Sequence, residues 1–89
     1  MQIEDDCRDE VTRRLRRVQG QVAGVIAMIE DGRECADVIT QLSAASKALD
    51  RAGLKIVSDG IRQCARADQT GQEPPMSVEQ LEKLFLSLA

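Results

Sequence analysis

The sequence predicts an all-α chain: a long antiparallel hairpin of two helices followed by a short third helix. Two long segments carry apolar residues at three- and four-residue steps, the period of an amphipathic helix. Glycine and proline occur where those segments should end, at "EDGRE" and "DQTGQEPP". With 89 residues the chain is long enough for one domain with a limited core. Only Phe85 is aromatic, so that core must be built from Leu, Ile, Val, Ala and Met. A small core of this kind is often completed by a second copy of the chain.

The first helix is expected over about 6–30, where Val11, Leu15, Val18, Val22, Val25 or Ile26, and Ile29 share the periodic spacing. Asp31-Gly32 marks its end, with Gly32 as a left-handed cap. The second helix is expected over about 34–66, without proline, with Val38, Leu42, Ala45, Leu49, Ala52 and Ile56 in register. Roughly 33 residues is long for a globular helix and suits a bundle or coiled coil. After Gly71, Pro74 and Pro75, a third helix is expected over about 77–88. Ser77 and Gln80 there read as a capping box, and Leu81, Leu84, Phe85 and Leu88 form the apolar side.

The net charge of −3 argues, as an average, against a nucleic-acid binder, but the charge is segregated. Residues 1–10 hold five acids against Arg8, while residues 11–30 hold Arg13, Arg14, Arg16 and Arg17 against Glu30 alone. With Val11 as origin, Arg13, Arg16 and Arg17 fall at roughly 140–240° around the helix, opposite the apolar stripe, with Gly20 and Gly24 on the same side. Lys47, Arg51 and Lys55 make a second basic stripe at i, i+4 and i+8. Charged residues on the outer face of a helix are usually only solvated, yet two such stripes on neighbouring helices of an acidic chain are candidates for phosphate contact. Neither a helix-turn-helix signature nor an aromatic stacking platform is visible.

Three cysteines and no histidine make up the thiol and imidazole inventory. The acidic, polar N-terminus does not read as a secretory leader, and no apolar run approaches membrane-spanning length, so a reducing cytoplasm is expected. Cys35 and Cys64 are 29 positions apart, which on a continuous helix is about 20° beyond eight full turns. They would share a face yet lie roughly 44 Å apart along the axis. Two such helices placed antiparallel would set Cys35 of one subunit beside Cys64 of the other, giving two equivalent dithiol sites in a two-fold dimer. Cysteine is also a small hydrophobe that helices bury. Cys7 has no partner in the pattern and is expected to be an exposed or accessory thiol.

The run "RLRRVQGQVAGVIAMIEDGRECADVITQLSAASKAL" resembles the CsoR/RcnR/FrmR family of small all-α repressors, over about Thr12 to Ala67. The resemblance rests on R-x-x-GQ-x-x-G at Arg17, Gly20, Gln21 and Gly24, and on C-x-DV-x-TQ from Cys35. It implies an antiparallel dimer, usually paired into a homotetramer, that binds operator DNA until an inducer arrives. It also implies DNA contacts at Arg14, Arg16, Arg17 and Arg51, with Gln21 and Lys55 beside them, and sensing at Cys35 and Cys64. Copper sensors of this family carry histidine four residues before the second cysteine, where this chain has Gly60. The dithiol without histidine resembles the persulfide-sensing CstR branch, which implies a repressor with no metal or cofactor. Its inducer would be persulfide or polysulfide sulfur bridging Cys35 to Cys64. Cys35 is expected to attack first, since a helix N-terminus lowers a thiol pKa and Arg33 is near. A bis-cysteine Cu(I) site at Cys35 and Cys64 is the alternative. A thiol-dependent sulfurtransferase is a second alternative, although no motif joins the chain's Cys, Asp, Glu, Lys and Ser into a catalytic set, so an enzyme is not expected.

Overall fold

The computed structural model describes residues 1–88 and contains three helices, α1 (Asp5–Glu30), α2 (Cys35–Thr70) and α3 (Val78–Leu88). α1 and α2 form the antiparallel hairpin. Cys7, Val11, Val18 and Val25 recur at four and seven residues along α1 and are buried, opposite Ala45 and Ala52 of α2. Small alanines on α2 let the helices approach closely, and Cys7, Val11 and Ala52 with Ile3 and Ile56 make the best-enclosed cluster.

The link between α1 and α2 is a Schellman turn. Gly32 has φ +70°, its N–H donates to Ile29 at 3.1 Å, and the Arg33 N–H donates to Met28 at 3.0 Å. Gly71, with φ +72°, closes α2 by the same pair of bonds, to Asp68 and Ala67. α2 runs four residues beyond the expected end. "DQT" carries no apolar signal, but Thr70 Oγ1 donates back to the Arg66 and Ala67 carbonyls and carries the helix on to Gly71.

The capping box of α3 is formed. The Gln80 N–H donates to Ser77 Oγ and the Ser77 N–H donates to Gln80 Oε1, each at 3.1 Å. α3 then lies antiparallel along the C-terminal half of α2, with Leu81 over Gly60 and Leu88 over Gly53. A Cβ at either glycine would stand within 2.9 Å of the leucine facing it.

The molecule measures 58 × 24 × 13 Å, and the last dimension is about the width of one helix. A single layer cannot cover both sides of its helices. The apolar stripes read from the sequence therefore divide into two faces. Val11, Val18, Ala45 and Ala52 turn inward, whereas Ile26, Ile29, Ile39, Leu42 and Leu49 are each more than half exposed.

Candidate functional site: two thiols and an arginine face

Cys35 is the first residue of α2, exposed, with Glu34 as N-cap. The Arg33 guanidinium beside it reaches Asp37 at 4.0 Å, so that charge is engaged along its own helix turn. Cys64 is half-buried near the far end of α2, and its thiol donates to the Met76 carbonyl oxygen at 3.2 Å. It lines an apolar groove of about 790 Å³ between α2 and α3, with Val57, Ile61, Leu81 and Phe85 among its walls. Both thiols are free. α2 is unbroken between them, so the roughly 44 Å separation holds and one chain cannot bring them together.

Cys7 departs from its expected place. It is 4% exposed, packed against Val11 and Ala52, and its thiol donates to the Lys55 carbonyl at 3.7 Å. Burial pushes its pKa up, and the Asp59 carboxylate adds to the shift. An inward position on the α1 stripe makes it a core residue rather than an accessible thiol. The spacing of four to Val11 was the signal that could have shown this.

Arg13, Arg16 and Arg17 stand exposed along α1 and make no ion pair among the described residues. Around Gly20 and Gly24 nothing lies within 4 Å of where a Cβ would be, so the face stays open. Arg14 differs, pairing with Glu10 at 3.2 Å, and Lys55 reaches the same carboxylate at 3.6 Å. The Arg14 hydrogen bond, followed by the charge of Lys55, holds the Glu10 carboxyl below its usual range. Lys47 and Arg51 are exposed on α2. Gln21 is half-buried, with Oε1 enclosed and unpartnered among the described residues.

Sequence reasoning passed over Asp59, which is 2% exposed. It accepts from the Glu4 N–H at 3.2 Å and from Gln63 Nε2 at 2.8 Å, with Arg62 at 3.8 Å. The i+3 and i+4 partners Arg62 and Gln63 are ordinary helix neighbours, and no spacing rule reveals the Glu4 N–H, 55 residues away, that seals this aspartate in.

The chain matches the model of the metal-sensitive transcriptional repressor family over residues 7–87. The copper-sensing transcriptional repressor RicR of Mycobacterium tuberculosis is 42% identical over 57 residues, 64% of this chain and 59% of that one. The matched segment therefore spans about three fifths of that repressor. The copper-sensing transcriptional repressor CsoR of Bacillus subtilis is 30% identical over 78 residues, 88% of this chain and 77% of that one. An uncharacterized protein of Serratia marcescens is 32% identical over 75 residues, 83% of this chain and 82% of that one. No solved structure matches. No helix among the described residues is long and apolar enough to cross a membrane. The expectation that the chain takes no metal or cofactor is overturned, because the family is metal-sensitive and the two named relatives are copper sensors. By its helices, its arginine and cysteine motifs and the match over residues 7–87, the chain belongs to the metal-sensitive transcriptional repressor family of CsoR type.

Proposed function

We propose that the chain represses transcription by binding operator duplex DNA, and that it releases the DNA on taking up Cu(I) between Cys35 of one subunit and Cys64 of another. The observation that carries this reading is the placement of two free thiols near opposite ends of one unbroken 36-residue helix. Ile39, Leu42 and Leu49 lie within about 40° of Cys35 around α2 and are exposed in the single chain. An antiparallel α2–α2 contact would cover them and bring each Cys35 to a partner's Cys64. The donor chemistry fits, since soft thiolates select Cu(I). When bound, Cu(I) supplies a covalent tie between the two subunits.

To hold the ion each thiol would give up its proton, and Cys64 would lose its bond to the Met76 carbonyl. α1 is packed on α2 along the hairpin, so a change in the angle between the two α2 helices moves the Arg13–Arg17 faces relative to each other. Phosphate contacts by Arg13, Arg16 and Arg17, with Lys47 and Arg51, make binding steeply salt-dependent. Arg14 and Lys55 contribute less while Glu10 holds them. Glutamate at Arg17 is expected to abolish operator binding with the dimer intact; unchanged affinity at physiological salt would refute the assignment. The overall test is titration of Cu(I) into the reduced protein on a genomic duplex selected for binding. Release at about one ion per subunit is expected, and retention of DNA through saturation would contradict the reading.

A second reading, sensing of reactive sulfur, is favoured by the missing imidazole and by the closed space at Gly60. A Cys35 thiolate would take the outer sulfur of a persulfide donor and release the donor thiolate. The partner's Cys64 would then displace hydrosulfide to leave a disulfide, with longer bridges from further sulfur. Intact mass under non-reducing conditions, after exposure of the reduced protein to an organic persulfide, separates the readings. A covalent dimer lost with Cys35→Ser supports sulfur sensing, and an unmodified monomer removes it.

A further inference from the structure

The first four residues lie as an arm along the C-terminal half of α2, held at three points. The Glu4 N–H donates to Asp59, Gln63 Nε2 donates to the Gln2 carbonyl at 2.9 Å, and Arg66 pairs with the Glu4 carboxylate. Asp59, nearly sealed from solvent, also takes the bond from Gln63 that orients that amide. These anchors bracket the helix turn from Gly60 to Cys64.

The arm delivers a thioether to that turn. Met1 Sδ stands 3.1 Å, and Leu81 Cδ2 2.9 Å, from where a Cβ on Gly60 would be. Side chains at i and i+4 of a helix have their Cβ atoms about 5–6 Å apart, the relation that helix-borne pairs of metal ligands use. Position 60 thus has no side chain of its own, and its space is bordered jointly by the Leu81 methyl and by a sulfur donor from elsewhere in the chain. Leu81 ties the two places together, since it covers Gly60 and also walls the groove that holds Cys64.

We propose that Met1 supplies a thioether ligand to the Cys35–Cys64 site, making it a three-sulfur Cu(I) site. The inference rests on the Cu(I) reading above. A thioether is soft and neutral and so suits Cu(I) as the thiolates do. It binds through a lone pair and loses no proton, so uptake of one ion releases two protons, one from each cysteine. The ion is neither oxidised nor reduced.

The test uses the full chain with Met28→Leu and Met76→Leu, grown on selenomethionine so that Met1 alone carries selenium, and loaded with one Cu(I) per subunit. X-ray absorption at the copper edge is expected to show thiolate sulfur, and absorption at the selenium edge to show a copper neighbour. Thiolate sulfur around copper with no copper at selenium would overturn the Met1 ligand while leaving the two-cysteine site intact. Copper without thiolate sulfur would overturn the site itself. As a second readout, Met1→Leu, made behind a cleavable tag, is expected to lose about tenfold or more in Cu(I) affinity by chelator competition. Met28→Leu is expected to keep its affinity, and equal affinity in the Met1 variant would count against the proposal.

Discussion

Cys7 and Cys64 each donate a thiol hydrogen to a backbone carbonyl, but only Cys64 borders open space. Thiol labelling of the reduced chain should modify Cys35 first and Cys64 next, with Cys7 reacting only on unfolding; early labelling of Cys7 would contradict its burial. The raised pKa of Cys7 sets a pH dependence. Above the ordinary thiol range the unfolded chain ionises this group while the folded chain still resists, so stability is full below that range and falls as pH rises through it. Cys7→Ala should flatten this alkaline loss in urea melts recorded across pH. That Cys35 and Cys64 share a face of α2 was legible from the sequence, because a spacing of 29 on an unbroken helix fixes their relative angle. What fills position 60 was not, since a glycine in a sequence says nothing of the Leu81 and Met1 side chains that meet there.

Among the elements, α3 was the most legible at its start, because Ser77 and Gln80 satisfy each other's orphan groups within four residues. Ser77→Ala removes the cap and should cost about 1 kcal/mol, seen as faster amide exchange at Val78–Leu81 with α1 unaffected. Where α3 lands could not be read, because it depends on Gly53 and Gly60 opening room on α2 for Leu88 and Leu81. Valine at Gly53 drives into Leu88 and should cost about 1–3 kcal/mol, loosening α3 in the same exchange experiment. The apolar periodicity of α1 and α2 placed the helices, yet it merged two faces into one stripe. Val18 and Ala45 are inward, Ile26 and Leu42 outward, and three- and four-residue steps describe both sets.

At the scale of the molecule, a layer 13 Å thick with long apolar side chains on its outside is a half-finished core. The same geometry separates the two thiols within a chain, and under the proposed reading an α2–α2 contact would join them between chains, so that assembly and sensing would depend on one surface. DNA affinity should fall with salt, with a log–log slope that becomes about one unit shallower for each phosphate contact removed, and Arg16→Ala measured across ionic strength checks this. The most direct measurement is Cu(I) stoichiometry on a heterodimer of a Cys35→Ser chain and a Cys64→Ser chain, purified through two different tags. An intersubunit site predicts no tight binding by either variant alone and one ion per heterodimer, half the wild-type complement, because one pair of intact cysteines is restored. Tight binding by either variant alone, or none by the heterodimer, would contradict it.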